Sequence, residues 1–202
     1  MGHTPVLTSI NEWEAAWAPY DETTYRFVLD QILPGDIVID IGAGDLRLAV
    51  RMAAICQRVY AVEISSEIVM KGKLALNASP PENLDIIIAD ATKLDFPGDI
   101  NVGVLLMRHC SYFSLFRKKL ITSGANKMIT NARQRMNIEI VDLLAEPKKY
   151  NTVELGWYAC ECGIFGFKPG AVELLNSFTL ETIHEVASCP GCSDLASEAI
   201  HL

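Results

Sequence analysis

The 202-residue sequence lacks any apolar run near the roughly 20 residues that a membrane-spanning helix needs, although half of its residues are hydrophobic. Its opening residues, Met1-Gly2-His3-Thr4-Pro5, lack the basic region and apolar stretch of a secretion signal. These absences predict a soluble cytoplasmic protein. Positive charge is also scarce: 17 Lys and Arg stand against 25 Asp and Glu, a net charge of −8. That balance argues against a chain that coats nucleic acid through a uniformly basic surface. No internal repeat or low-complexity linker is present.

The length suits one domain with an appendage, and the expected division is residues 1–150 and residues 151–202. Charge is unevenly spread along it. Residues 101–149 carry nine basic and three acidic side chains, a local +6 between two acidic flanks. Either this is a solvated helix face plus chance, with Phe116-Arg117-Lys118-Lys119-Leu120 supplying a third of it, or an edge here meets phosphate or another anion.

Turn signals and periodicity outline the elements. Ser9-Ile10-Asn11-Glu12 has capping-box spacing, so a helix is expected over 9–18, ended by Pro19. Another is expected over 21–33, stopped by Pro34-Gly35. The β-branched run over 36–41 enters a glycine loop and then a helix over 45–55. Strands over 59–62 and 84–89 flank a helix over 66–77, and strands over 102–107 and 127–130 flank a helix over 113–120. Alternation at this pitch implies an α/β fold with a doubly wound, mostly parallel sheet.

In such a sheet the ligand site lies at the carboxyl ends of the strands. The first strand ends in Asp40-Ile41-Gly42-Ala43-Gly44, where glycines admit a ligand close to the backbone. The second ends in Glu63, 19 residues after Gly44, where a carboxylate can accept from both hydroxyls of a ribose. The third ends in Asp90-Ala91, offering a carboxylate for an adenine amine and a backbone N–H. Arg47 occupies the third glycine position of a dinucleotide fingerprint, and Asp40 suits an ammonium better than a pyrophosphate. A ligand with an amine, a ribose and an adenine but no phosphate is S-adenosylmethionine.

Taken in order, Val38-Ile39-Asp40-Ile41-Gly42-Ala43-Gly44-Asp45, Val62-Glu63 and Ala89-Asp90-Ala91 resemble the successive cofactor motifs of class I S-adenosylmethionine-dependent methyltransferases, over roughly residues 20–131. The resemblance implies a seven-stranded sheet whose last strand runs antiparallel, and methyl transfer from the sulfonium. It places Asp40, Gly42, Ala43, Gly44, Glu63, Ile64, Asp90, Ala91, Met107 and Tyr20 around the cofactor, with Thr24 beside Tyr20 in the N-terminal helices. The spacing is similar to that of the ribosomal RNA adenine dimethylases. That branch carries Asn-x-Pro-aromatic after the fourth strand, where this chain reads Leu106-Met107-Arg108-His109-Cys110.

Methyl transfer is an in-line displacement in which the protein holds the acceptor on axis and removes a proton when there is one. In the family the segment after the fourth strand faces the methyl group, which nominates Arg108, His109, Cys110 and Tyr112. His109 titrates near neutral pH and is the candidate general base, unless it only packs at the strand end. Asn131 is a further candidate for positioning the acceptor. The acceptor is a nucleic acid, a small molecule or a protein; alternatively the chain is a non-catalytic module that keeps the cofactor pocket.

Cys160-Glu161-Cys162-Gly163 and Cys189-Pro190-Gly191-Cys192 form two knuckle-like pairs separated by 26 residues. Four converging thiolates suit a zinc ion in a ribbon-like element; buried reduced thiols and a redox disulfide are the alternatives. Strands expected over 154–159 and 180–187, with a helix over 171–178 between them, would run parallel and bring both pairs to one end. The element then reads a substrate or partner, or staples a small core.

Overall fold

The computed structural model describes residues 21–76, 79–108, 110–133 and 137–192. The helix expected over 9–18, Tyr20 and His109 lie outside the described residues. Within them the chain divides into two compact units, residues up to 95 with 99–104, and 96–98 with residues from 105 on. No described helix is long and apolar enough to cross a membrane.

The first unit grows from β1 (Ile37–Ile41), whose Val38, Ile39, Asp40 and Ile41 are all buried, as a strand covered on both faces requires. It pairs in parallel with β2 (Arg58–Glu63) and, on its other side, with β4 (Val102–Leu105). β3 (Leu84–Ile88) adds to β2, again in parallel. Asn101 fixes the start of this register: its amide donates to Asp36 at 2.9 Å while its carbonyl accepts from the Ile37 N–H at 2.7 Å. Helix α1 (Glu22–Asp30) is capped by Asp21, which accepts from the Thr24 N–H. It stops at Asp30, three residues short of the expected 33, because Gln31 already closes its last carbonyls. Helix α2 (Arg47–Ala53) buries Leu48, Ala49, Met52 and Ala53, and α3 (Ser66–Ala75) is capped by Ser65.

The second unit contains α4 (Phe113–Thr122), β5 (Lys127–Thr130) and β6 (Glu139–Asp142). β6 runs antiparallel to β5, since the intervening residues 131–138 are too few for a crossover of a dozen or more. The larger sheet has the strand order β3-β2-β1-β4-β5-β6 among the described residues, so the expected seven strands are corrected to six. The expected antiparallel last strand is present.

A separate sheet of order β8-β7-β9 follows, built from β7 (Gly156–Cys160), β8 (Phe165–Lys168) and β9 (Ile183–Val186). β8 was not expected; it turns back antiparallel on β7. β7 and β9 are parallel, as expected for a strand, helix, strand crossover, although the helix is only α5 (Ser177–Glu181) after a 3-10 turn over Val172–Leu174. The small core here is Val153, Tyr158, Cys160, Val186 and Cys189, with Tyr150, Cys162, Ile164 and Cys192 packed on it. Val172 and Phe178 remain 77% and 72% exposed.

Candidate functional site

At the carboxyl end of β1 the backbone turns on Gly42 and Gly44, whose φ angles of 77° and 56° are open to glycine and strained for other residues. The N–H groups of Gly42 and Ala43 both donate to the Val62 carbonyl, at 2.9 and 3.0 Å, which seats the loop against the end of β2. Leu46 follows in the left-handed region at φ 69°, a conformation costly for a non-glycine residue and paid back by its complete burial. Gly72 of α3 lies so close that a Cβ would stand 2.2 Å from the Asp45 carbonyl oxygen.

Glu63 ends β2 with both carboxylate oxygens engaged by backbone: Gly44 N–H donates to Oε2 and Ser65 N–H to Oε1, each at 2.9 Å. A carboxylate offers about four lone-pair sites, so two remain for hydroxyl donors. Asp40 is buried at the end of β1. Burial, then the charges of Glu63 and Asp45, push its pKa up to about 7. Asp45 is buried as well and pairs with Arg47 across the loop, a role with no signal in the sequence beyond its place after Gly44.

Asp90 follows β3, with Oδ1 accepting from the Thr92 hydroxyl at 2.6 Å and its N–H at 2.9 Å, bonds that hold its carboxyl below the usual range. Ala91 sits next to it, and Ile64, 69% exposed, lies beyond Glu63. The structure thus gathers Asp40, Gly42, Ala43, Gly44 and Glu63 into one cradle, with Asp90 at the next strand end.

In the second unit Met107 and Arg108 are exposed after β4, Cys110 is half-buried with its thiol pushed up by burial, and Tyr112 is exposed. Thr130, at the end of β5, donates its hydroxyl to the Leu105 carbonyl at 2.8 Å. The next residue, Asn131, is buried, and its Oδ1 has no hydrogen-bond partner among the described residues. An unpaired buried carbonyl costs about 1–3 kcal/mol and calls for a donor.

The four cysteines of the smaller sheet converge, with all Sγ atoms within 4.8 Å of one another. Cys160 to Cys192 is 3.6 Å, and Cys162 to Cys189 and Cys189 to Cys192 are each 3.8 Å; none is disulfide-bonded. A tetrahedron with metal–sulfur bonds of about 2.3 Å has sulfur–sulfur edges of about 3.8 Å. The Cys189 N–H donates to the Cys192 sulfur at 3.3 Å, as expected of a knuckle amide. Burial pushes the Cys189 thiol up to about 11 and Cys160 higher still; at Cys192 burial also raises it, but bonds from the Cys189 backbone and the neighbouring thiols bring it below its ordinary value. The group can hold a metal ion.

Residues 39–123 match the model of a family described as a methyltransferase domain. The similarity to a methyltransferase domain thus covers the glycine loop, Glu63, Asp90 and the start of the second unit. Over 67 residues the chain is 39% identical to a probable ribosomal RNA small subunit methyltransferase A of Methanosarcina mazei, covering 33% of this chain and 24% of that protein. The match therefore spans about a quarter of the relative's length. Similar solved structures include the 23S rRNA methyltransferase ErmE, with a TM-score of 0.47, 16% identity and coverage of 55% of this chain and 46% of that one. Another is a dimethyladenosine transferase from Plasmodium falciparum, with a TM-score of 0.45, 23% identity and coverage of 54% and 39%.

Proposed function

We propose that the chain is an S-adenosylmethionine-dependent methyltransferase and that its acceptor is RNA. The observation that carries the cofactor is the buried Asp40 carboxylate beside the glycine loop, with Glu63 clasping the loop from the next strand end. The ammonium of S-adenosylmethionine would pair with Asp40, the remaining lone pairs of Glu63 would take the ribose hydroxyls, and Asp90 with Ala91 would take the adenine. Met107, Ile64 and Tyr20 complete this set. Residues 1–150 form the cofactor-binding part in this reading, and residues 151–202 the metal-bearing part.

In the transfer, a lone pair of the acceptor forms the bond to the methyl carbon as the carbon–sulfur bond breaks, leaving a neutral thioether. A proton on the acceptor passes to His109 as general base, and Arg108 steadies an anionic acceptor. The unpaired Asn131 carbonyl is suited to an N–H donor, such as a base amine. The RNA reading is supported by the M. mazei relative, named as a probable ribosomal RNA methyltransferase. The reading of a non-catalytic module is favoured by Leu106-Met107-Arg108-His109-Cys110, which differs from the dimethylase motif.

The metal is zinc in this reading, held by Cys160, Cys162, Cys189 and Cys192; the sulfur spacing matches its tetrahedron and the all-thiolate set suits its softness. Reduced thiols at this spacing suit the cytoplasm. Calorimetric titration with S-adenosylmethionine, S-adenosylhomocysteine and NAD tests the cofactor; preference for NAD would sink it. Transfer of labelled methyl to ribosomal RNA, but not to protein or small amines, is the result expected for the acceptor. Cofactor binding without turnover on any of these would leave the binding module.

A further inference from the structure

Three contacts inside the second unit tie the four-cysteine element to α4. Glu161, between the two cysteines of the first pair, meets Arg117 of α4 at 2.7 Å, and both side chains are largely shielded from water. Gly163 closes the same knuckle at φ 101° and lies against Phe113, the first residue of α4; a Cβ there would stand 3.0 Å from the Phe113 Cβ. On Phe113 too lies the guanidinium of Arg133, 5.5 Å from the ring centroid. Arg133 is 1% exposed and donates to both oxygens of Glu185 in β9 and both of Glu139 in β6, every bond 2.8 Å. Burial opposes its charge, and the two carboxylates outweigh that and hold it ionised.

Helix α4 needs such support, because its N-cap residue Tyr112 makes no side-chain cap bond and no acidic residue stands in its first turn. What fixes its start is Phe113, packed by Gly163 and covered by Arg133, with Arg117 one turn further on. Glu161 and Gly163 belong to one cysteine pair, and Glu185 lies four residues before Cys189 of the other.

We propose that metal loading of the four cysteines orders the start of α4 and the segment over 110–112 that leads into it, with Arg117 and Arg133 as positioning residues. The inference rests on the zinc reading above. An ion that fixes the four sulfurs fixes the knuckle carrying Glu161 and Gly163, and the end of β9 carrying Glu185. Through Arg117, Phe113 and Arg133 that rigidity reaches the segment carrying Cys110 and Tyr112, which the family resemblance assigns to the methyl acceptor. A staple that served only its own small core would leave α4 indifferent to the ion.

Hydrogen exchange of the full chain, read by mass spectrometry with one equivalent of zinc and after chelation, tests this. The amides of residues 116–122 should exchange about tenfold faster once the ion is removed. Arg117→Gln should still bind one zinc per chain yet exchange faster at these amides even when loaded. The exchanged pair Arg117→Glu with Glu161→Arg should restore protection, and Lys118→Gln, on the exposed face, should change nothing. Zinc binding with no change in exchange over 116–122 overturns the proposal. Failure to bind zinc overturns the metal reading and the proposal with it. A parallel titration with S-adenosylmethionine reports separately on the methyltransferase reading, which neither outcome touches.

Discussion

The two units solve the problem of burying polar groups in opposite ways. The first surrounds β1 with parallel strands and helices, and its apolar interior is large enough to keep four carboxylates, Asp36, Asp40, Asp45 and Glu63, buried at strand ends and in the loop after β1. The smaller sheet of the second has few core side chains, and four of those around its centre are cysteines. The difference teaches that the first keeps its polar groups within a large apolar interior, whereas the second, on the zinc reading, draws its stability from an ion.

The sharpest way to break this comparison is to remove a thiolate. Cys160→Ser should abolish stoichiometric zinc binding and lower the melting temperature of the second unit's transition by roughly 15 °C, read by calorimetry. Replacing Arg133 with Ala comes next. Two glutamates lose their shared cation, and the expected cost is about 3 kcal/mol in denaturant unfolding, reduced from the fully buried case because Glu185 is partly exposed. A cost near zero would show that the ion cluster does not hold α4's surroundings.

Smaller effects are expected in the first unit. Glu63→Ala removes both the ribose acceptor and the clasp on the Gly44 and Ser65 amides, and should weaken S-adenosylhomocysteine by about 30-fold, read by calorimetry. Unchanged affinity would remove Glu63 from the site.

Asp40 gives the smallest and most specific effect. Its folded pKa, about 7, lies above its ordinary value, so the folded ligand-free chain holds a proton that the unfolded chain has released. Stability from this group is therefore complete below the ordinary carboxylate range and falls as pH rises towards 7. The ammonium of the ligand prefers the ionised form, so affinity should rise about 25-fold between pH 5.5 and 7.5 with release of a proton. Asp40→Asn should flatten that slope; a slope that persists in the variant points to another group.

The cradle of the first unit was legible because each part carries a local signal: a β-branched run, two glycines that need positive φ, and acids at strand ends. The parallel pairing of β7 with β9 was legible too, since a helix between two strands reverses the chain twice. β8 escaped because Phe165-Gly166-Phe167-Lys168 is short and interrupted by glycine, with Gly166 needed where the Tyr158 ring lies across it. β6 escaped because its acidic ends hide a strand of only four residues. Arg133 could not have been found, since Glu185 is 52 residues away and nothing local marks the pair. The local +6 of residues 101–149 is partly spent inside the protein, on Glu139, Glu161 and Glu185.

The crossover from β7 through α5 to β9 has one more consequence. It leaves 26 residues, 163–188, between Cys162 and Cys189, so an ion gripping both pairs ties that stretch into a ring. By the entropy of cross-linked chains, a ring of this size limits the unfolded ensemble by about 3.5 kcal/mol. The exposed Val172 and Phe178 sit within it, and once the ring opens they become the natural entry for a protease.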